Sequence, residues 1–263
     1  METTACKSYE TDRVDAKSIY YNFFCSTEDN KDLYTELVEF PIKFLHNCVK
    51  LGLVKGGSMM DLSFGCSLFQ MLSIYQLFND ITILEVNDGS IRDLKKWANG
   101  ERDACDWAHA SKVLEEVEGC SVNCKEMEKD LRCRVKRILK CDLNKANPVD
   151  PVILEKTDCL ISMYVLGSVS KHLDDYKRKL TSLSSLLKKG GSLFILGGFR
   201  ASHYIANEQK FNFLTYEEGD LIKIMKDKGY QIQHLEKFEK KSCANFVNFE
   251  HIFGLCAVKE TED

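Results

Sequence analysis

ITILEV, residues 81–86, is the clearest strand in the sequence and is followed directly by Asn87-Asp88-Gly89. Its β-branched and aliphatic residues predict a buried strand, and the Asn-Asp-Gly sequence predicts where that strand ends. Residues 90–97 then show the apolar spacing of a short helix. A strand that leads directly into a helix is the repeating unit of a parallel α/β sheet.

The same alternation extends along the chain on both sides of this unit. Further strands are predicted at 58–64, 137–143, 158–165 and 192–199, with two more at about 231–238 and 250–258. Helices are predicted at 31–52, where Pro41 should kink or restart the helix, and at 66–78, 122–136, 172–188 and 217–228. We therefore predict an α/β fold with a mostly parallel, doubly wound sheet and an antiparallel C-terminal hairpin.

Composition argues against several classes of protein. The 263 residues are 44% hydrophobic and 29% charged, as in an ordinary globular domain rather than a disordered chain. The net charge of −4 argues against a nucleic-acid partner, which selects a basic surface. No run of about 18 apolar residues occurs, and the N-terminus is polar, so we expect neither a membrane span nor a signal peptide. A cytoplasmic location follows as the expectation.

The twelve cysteines are the unusual part of the composition. No CxxC pair occurs, and the six histidines form no HxxxH or HExxH pattern, so no metal site is predicted. We favour free thiols that serve as small apolar side chains in a reducing compartment, with Cys141 and Cys159 inside predicted strands. The alternative is a disulfide-containing extracellular protein that is exported without a signal peptide.

Polar residues at strand ends are the candidates for ligand binding, because ligands of such sheets bind beyond the carboxyl ends of the strands. The turn from Asp61 to Ser67 joins a strand to a helix but contains one glycine, Gly65, and is equally consistent with an ordinary turn. Glu85 ends its strand where an acid can hold ribose hydroxyls, or is a solvated surface acid. Asp142 is placed to accept from an adenine amino group or to cap a turn.

The sequence resembles the small-amine N-methyltransferases, a family that includes the nicotinamide, indolethylamine and phenylethanolamine enzymes. The resemblance runs from about Tyr20 to Lys259. It rests on FLHNCVKLG (44–52), FQMLS (69–73), DITILEVND (80–88), IRDLKKW (91–97), RVKRILKCDL (134–143), DCLIS (158–162), DDYKRKLTSLSSLLKKGGSLFILG (174–197), SHYIANEQKF (202–211) and IFGLCAVK (252–259). It implies one class I, S-adenosylmethionine-dependent methyltransferase domain with a Rossmann-like core (56–263) and an N-terminal helical cap (1–55).

The resemblance also implies where S-adenosylmethionine would bind. The family's glycine motif, roughly D-I-G-S-G-P-T, is DLSFGCS here, so a serine and a phenylalanine replace a glycine and a serine beside the cofactor. Other tyrosines, an aspartate and an asparagine of the family are substituted as well, while Tyr20 and Asp142 match. The cofactor-binding positions are Tyr20, Cys25, Ser63, Phe64, Gly65, Phe69, Glu85, Ser90, Asp142, Leu143 and Met163.

The substrate-binding positions depart further from the family. Gly167 and Gly197 stand where the family has acids that hold the amine or amide, so the resemblance supplies no catalytic residue. Ala201 and Phe213 stand for serines, and Tyr204, which is predicted to lie in a loop, keeps the family character. Replacing two acids by glycine should remove charged hydrogen bonds of roughly 1.5–3 kcal/mol each and leave empty volume.

Three functions are consistent with these substitutions. The first is a non-catalytic relative with a degraded cofactor site and a binding, storage or structural role. The second is an active methyltransferase with an altered acceptor, in which Phe64, Phe69, Phe199 and Phe213 form an apolar acceptor pocket. The third is a small-molecule or pigment binder that uses the emptied cleft. The resemblance further implies a monomer, and the cysteines leave a weak dimer open.

Overall fold

A seven-stranded sheet forms the centre of the computed structural model, which describes residues 6–11 and 15–262. Its strands, in chain order, are β1 (Ser58–Leu62), β2 (Asp80–Glu85), β3 (Val135–Lys140), β4 (Thr157–Met163), β5 (Leu187–Phe199), β8 (Tyr230–Glu239) and β9 (His251–Lys259). A separate two-stranded hairpin consists of β6 (His203–Ala206) and β7 (Gln209–Asn212). The spatial order of the large sheet is β3-β2-β1-β4-β5-β9-β8.

The directions of these strands agree with the predicted sheet. The first five strands are parallel, and β9 runs antiparallel to both β5 and β8. The chain moves outward from β1 to β2 and β3 on one side and returns to β4 on the other. A crevice therefore opens at the carboxyl ends of β1 and β4, the topological switch point where α/β sheets bind ligands.

Helices cover both faces of the sheet and its N-terminal side. Their bounds are α1 (Ala16–Ile19), α2 (Lys31–Tyr34), α3 (Phe40–Lys50), α4 (Asp88–Ala98), α5 (Ala108–Glu118), α6 (Cys124–Arg134), α7 (Val165–Val169), α8 (Leu173–Ser184) and α9 (Glu218–Asp227). π-Helical turns continue α1 through Tyr20–Phe24 and join α2 to α3 through Thr35–Glu39. Pro41 lies in the first turn of α3, where it restarts the helix as predicted.

The helix predicted at 66–78 is wrong. This segment contains two 3₁₀ turns, Phe69–Met71 and Tyr75–Leu77, joined by i to i+3 hydrogen bonds such as that from the Ile74 amide to the Met71 carbonyl. Ten of its thirteen residues are buried. Apolar periodicity identifies a helix poorly in such a segment, because too few exposed polar residues are present to set the period.

Further elements differ from the sequence prediction. Helices α1, α5 and α7 and strand β7 were not predicted, and Tyr204 lies in strand β6 rather than in a loop. Strand β3 begins and ends earlier than predicted, so Cys141 follows it, although both Cys141 and Cys159 are buried. Within the described ranges no helix has the length and apolar character needed to cross a membrane.

Candidate functional site

Three of the predicted cofactor positions meet at the carboxyl ends of β1 and β2. Gly65 follows β1 in a turn with φ +68°, a left-handed conformation that favours glycine. Glu85 is the last residue of β2, and Ser90 lies in the first turn of α4. Glu85 and Ser90 are fully buried. We call the crevice bounded by these three residues the cofactor cleft.

The side chain of Tyr9 fills the cofactor cleft. Its hydroxyl donates to Glu85 Oε2 over 2.8 Å, accepts from the Gly65 amide over 2.6 Å and lies 3.2 Å from Ser90 Oγ. Tyr9 is 0% exposed. One hydroxyl of the chain itself thus occupies the donors and acceptors that the family resemblance assigns to the cofactor.

Phe64 seals the cleft beside Tyr9. The Tyr9 and Phe64 rings lie 4.5 Å apart between centroids, and Phe64 meets Tyr204 edge-on at 5.5 Å. Aromatic pairs at these separations add to the free energy gained by burial. The serine of the family motif could not make these contacts. The replacement of that serine by Phe64 therefore supports the packing of Tyr9.

The segment around Tyr9 is held by the rest of the chain at both of its ends. The Lys7 amide donates to the Lys210 carbonyl over 2.8 Å, and the Lys7 carbonyl accepts from Asn212 over 3.0 Å. Glu10 accepts from Lys179 Nζ over 2.8 Å, and only 3% of the Lys179 side chain is exposed. A buried ion pair of this kind loses much more when one partner is removed than an exposed pair does.

Burial decides the protonation of the groups in the cleft. It raises the pKa of Glu85 to about 8, although the Asn87 amide and the Tyr9 hydroxyl favour its carboxylate. It also raises the pKa of Tyr9 well above the usual value, and the charge of Glu85 adds to this shift. Burial raises the pKa of Asp61, below the cleft, to about 6. The cleft therefore holds a neutral tyrosine hydroxyl against an acid that is hard to ionise.

The remaining cofactor positions make internal contacts. Tyr20 donates to the Asp106 carbonyl, and Ser63 donates to Asp61 Oδ2 over 2.6 Å. Asp142 Oδ1 accepts from the Asn144 amide over 3.0 Å, the turn-capping alternative. Four other positions pack against the core, with Cys25 half-buried and the rest buried: Cys25, Phe69, Leu143 and Met163.

Aromatic rings fill the space beside the two glycines that replace the family acids. A Cβ at Gly167 would lie 2.3 Å from the Phe213 ring, and a Cβ at Gly197 would lie 2.9 Å from Phe253 and 3.0 Å from the Tyr216 hydroxyl. The expectation of empty volume at these positions is therefore wrong. Aromatic side chains thus fill the space beside the two positions where the resemblance implies acids in the family.

A small apolar cavity of about 50 Å³ remains on the substrate side. Phe64, Phe213, Ala201 and Tyr204 line it, whereas Phe69 and Phe199 do not, so the predicted phenylalanine pocket is found only in part. Small-molecule sites typically measure about 300–1,000 Å³. The Tyr204 hydroxyl is buried beside this cavity and has no hydrogen-bond partner among residues 6–11 and 15–262.

Restoring the acid at Gly167 is expected to require a second change at Phe213. Gly167→Asp alone forces the Phe213 ring out of its packed position and should destabilise the protein by about 1–3 kcal/mol. Phe213→Ser makes room, so the double variant should be more stable than the sum of the single effects, by roughly 0.5–3 kcal/mol. Urea denaturation of the four proteins measures this coupling. Purely additive losses would contradict the packing described above.

The sequence missed two residues that shape the site. Tyr9 precedes Tyr20, where the matching motifs begin, and no periodicity distinguishes a buried tyrosine in a polar segment. Tyr164 follows β4 with φ +62°, a conformation that is rare for a bulky residue, and its hydroxyl donates to the Leu37 carbonyl. Such backbone conformations concentrate at ligand sites. The sequence of the preceding strand does not predict this backbone conformation at Tyr164.

Comparison with known proteins identifies the family. A profile of the NNMT/PNMT/TEMT family matches residues 3–260. The chain belongs to this family. It is 32% identical to pig nicotinamide N-methyltransferase over 91% of this chain and 89% of the relative. It is also 32% identical to rabbit indolethylamine N-methyltransferase over 82% of each chain.

Solved structures agree on the fold of this NNMT/PNMT/TEMT family member. Magnesium protoporphyrin IX methyltransferase from Synechocystis, with bound S-adenosylmethionine, matches with a TM-score of 0.53 at 15% identity, over 95% of this chain and 93% of that one. The 1,6-didemethyltoxoflavin-N1-methyltransferase from Burkholderia thailandensis, with bound S-adenosylhomocysteine, gives a TM-score of 0.51 at 15% identity, over 99% of this chain and 94% of that one. The fold is that of a class I S-adenosylmethionine-dependent methyltransferase.

The cofactor of this family does not fit the cleft as it stands. Both oxygens of the Glu85 carboxyl are engaged, one by Tyr9 and one by the Asn87 amide at 2.8 Å. The Gly65 amide is engaged by Tyr9 as well. A ribose at Glu85 would have to share its position with the Tyr9 hydroxyl.

Proposed function

We propose that this chain is a non-catalytic member of the NNMT/PNMT/TEMT family with a binding, storage or structural role. The observation that carries the proposal is the Tyr9 hydroxyl, which bonds to the Gly65 amide and Glu85 inside the cofactor cleft. A ligand must displace this internal contact, so its apparent affinity falls by the fraction of molecules in which the cleft is open.

The substrate side supports the same proposal. Methyl transfer to nitrogen depends on holding the lone pair in line with the sulfonium methyl, so the protein contributes mainly positioning. Gly167 and Gly197 offer no carboxylate for this purpose, and Phe213 fills the place of one of the acids. The lining of the cavity is apolar and gives an amine no charged partner.

Isothermal titration of the full chain with S-adenosylmethionine tests the proposal. We expect no binding up to millimolar cofactor, with pig nicotinamide N-methyltransferase as the positive control under the same conditions. The expectation follows from the bonds that Tyr9 makes in the cleft. A micromolar dissociation constant would overturn the proposal and favour an active methyltransferase with an altered, apolar acceptor.

A small-molecule or pigment binder is the weaker alternative. It needs an emptied cleft, whereas Tyr9 and Phe64 pack in the cleft and a cavity of about 50 Å³ remains. The unpartnered Tyr204 hydroxyl is the one observation in its favour within the described residues. A coloured or co-purifying organic molecule, seen by absorption and mass spectrometry of the native protein, would support this alternative.

A further inference from the structure

Two cysteine side chains are in contact at the turn that contains Gly65. Cys66 follows Gly65, and Cys105 lies in the loop that joins α4 to α5. Their sulfur atoms are 2.7 Å apart, and the two residues are 3% and 8% exposed. They are separated by 39 positions in the sequence, so the contact is created by the fold.

We propose that Cys66 and Cys105 form a disulfide site. A disulfide has a sulfur–sulfur distance of about 2.05 Å, which these atoms reach by moving less than about an ångström. The site goes beyond the proposed function and does not depend on it, because it requires only the two neighbouring thiols and an oxidant.

The oxidant is a small disulfide such as oxidised glutathione. The thiolate of one cysteine attacks oxidised glutathione, which forms a mixed disulfide and releases one glutathione thiol. The thiolate of the second cysteine then displaces the second glutathione and closes the protein disulfide. Two protein thiols lose two protons and two electrons, and one oxidised glutathione becomes two reduced molecules. The hydrogen bond with Cys105 and burial raise the pKa of Cys66, so closure should be slow.

The disulfide would restrain the turn that is hydrogen-bonded to Tyr9. Gly65, next to Cys66, donates to the Tyr9 hydroxyl. The loop that carries Cys105 also contacts the N-terminal helices, since Tyr20 donates to the Asp106 carbonyl and Lys17 pairs with Asp103 at 3.5 Å. A disulfide between Cys66 and Cys105 would link the turn that contains Gly65 to the loop between α4 and α5, which contacts the N-terminal helices.

Peptide mapping of the full chain tests the site. Trypsin places Cys66 alone in residues 56–92 and Cys105 alone in residues 103–112. After incubation with oxidised glutathione and alkylation in denaturant, we expect these two peptides as one linked species that dithiothreitol separates. Recovery of both peptides unlinked, each alkylated or carrying glutathione, would overturn the proposal.

Thermal denaturation gives an independent measurement. Oxidation should raise the Tm of the wild-type chain by about 5 °C, because the bond restricts the unfolded chain. The rise should vanish in Cys66→Ala and Cys105→Ala and persist in Cys141→Ala, a matched buried cysteine. An equal rise in all four proteins would contradict the site. If Cys66→Ala does not fold, the peptide map of the wild-type chain still decides.

Discussion

Replacing Tyr9 with alanine is expected to release residues 6–11 from the cofactor cleft while the sheet stays folded. The change removes a ring that is fully buried against Phe64 and a hydroxyl that bonds to Glu85 and Gly65. Losses of this kind amount to roughly 3–5 kcal/mol. We expect the segment to detach without unfolding of the sheet, so that the loss falls on its docking rather than on the whole fold.

Hydrogen exchange measures the release. Three amides report on the docked segment. The Lys7 amide donates to the Lys210 carbonyl, the Gly65 amide to the Tyr9 hydroxyl, and the Asn212 amide to the Lys7 carbonyl. Their exchange should become at least about 100-fold faster in Tyr9→Ala, since each 1.4 kcal/mol is a factor of ten. Tyr9→Phe keeps the ring and should give an intermediate effect. Tyr21→Ala, at a tyrosine that is 64% exposed, is the matched control and should change nothing. Unchanged exchange in Tyr9→Ala would mean that the segment is held elsewhere.

The same variant separates the causes of weak cofactor binding. Micromolar binding of S-adenosylmethionine by Tyr9→Ala alone would identify Tyr9 as the block. If binding appears only when Ser63→Gly and Phe64→Ser are added, the substituted glycine turn contributes as well. Absence of binding in the triple variant would point to other substituted positions such as Cys25 or Ser90.

Glu85→Gln is expected to change how stability depends on pH. Burial raises the pKa of Glu85 from 4.5 to about 8, so between these values the folded protein holds a proton that the unfolded chain has lost. Its contribution is therefore present at low pH and is lost as the pH rises through the folded pKa. The slope reaches about 1.4 kcal/mol per pH unit. Glutamine keeps an acceptor for Tyr9 and does not titrate.

Urea denaturation at pH 5, 6, 7 and 8, near the pKa range from 4.5 to about 8, measures this effect. The free energy of unfolding of the wild-type chain should fall relative to that of Glu85→Gln as the pH rises. Burial shifts the pKa of Asp61 and of His109 too, but these groups are present in both proteins and cancel in the difference. Glu155→Gln, at an exposed position, should follow the wild type. Parallel curves for wild type and Glu85→Gln would contradict the burial of this acid beside Tyr9.

The class of the fold could be predicted from the sequence alone. Strands such as 81–86 follow from β-branched runs ended by turn residues, which is local information. The seven-stranded sheet and its antiparallel C-terminal strands confirm the predicted fold class. The substitutions at Ser63, Phe64, Gly167 and Gly197 are visible from the resemblance alone, because the motifs around them match the family in order and spacing.

The contacts made at these positions are visible only in the folded chain. Tyr9 reaches Glu85 across 76 positions, and Phe213 fills the space beside Gly167 from a distant hairpin. The contact of Cys66 with Cys105 spans 39 positions. Such contacts are formed by packing between distant elements, and no local propensity or periodicity carries them. The resemblance implies which positions differ from the family, and the packed fold shows that aromatic rings of the chain itself lie at those positions.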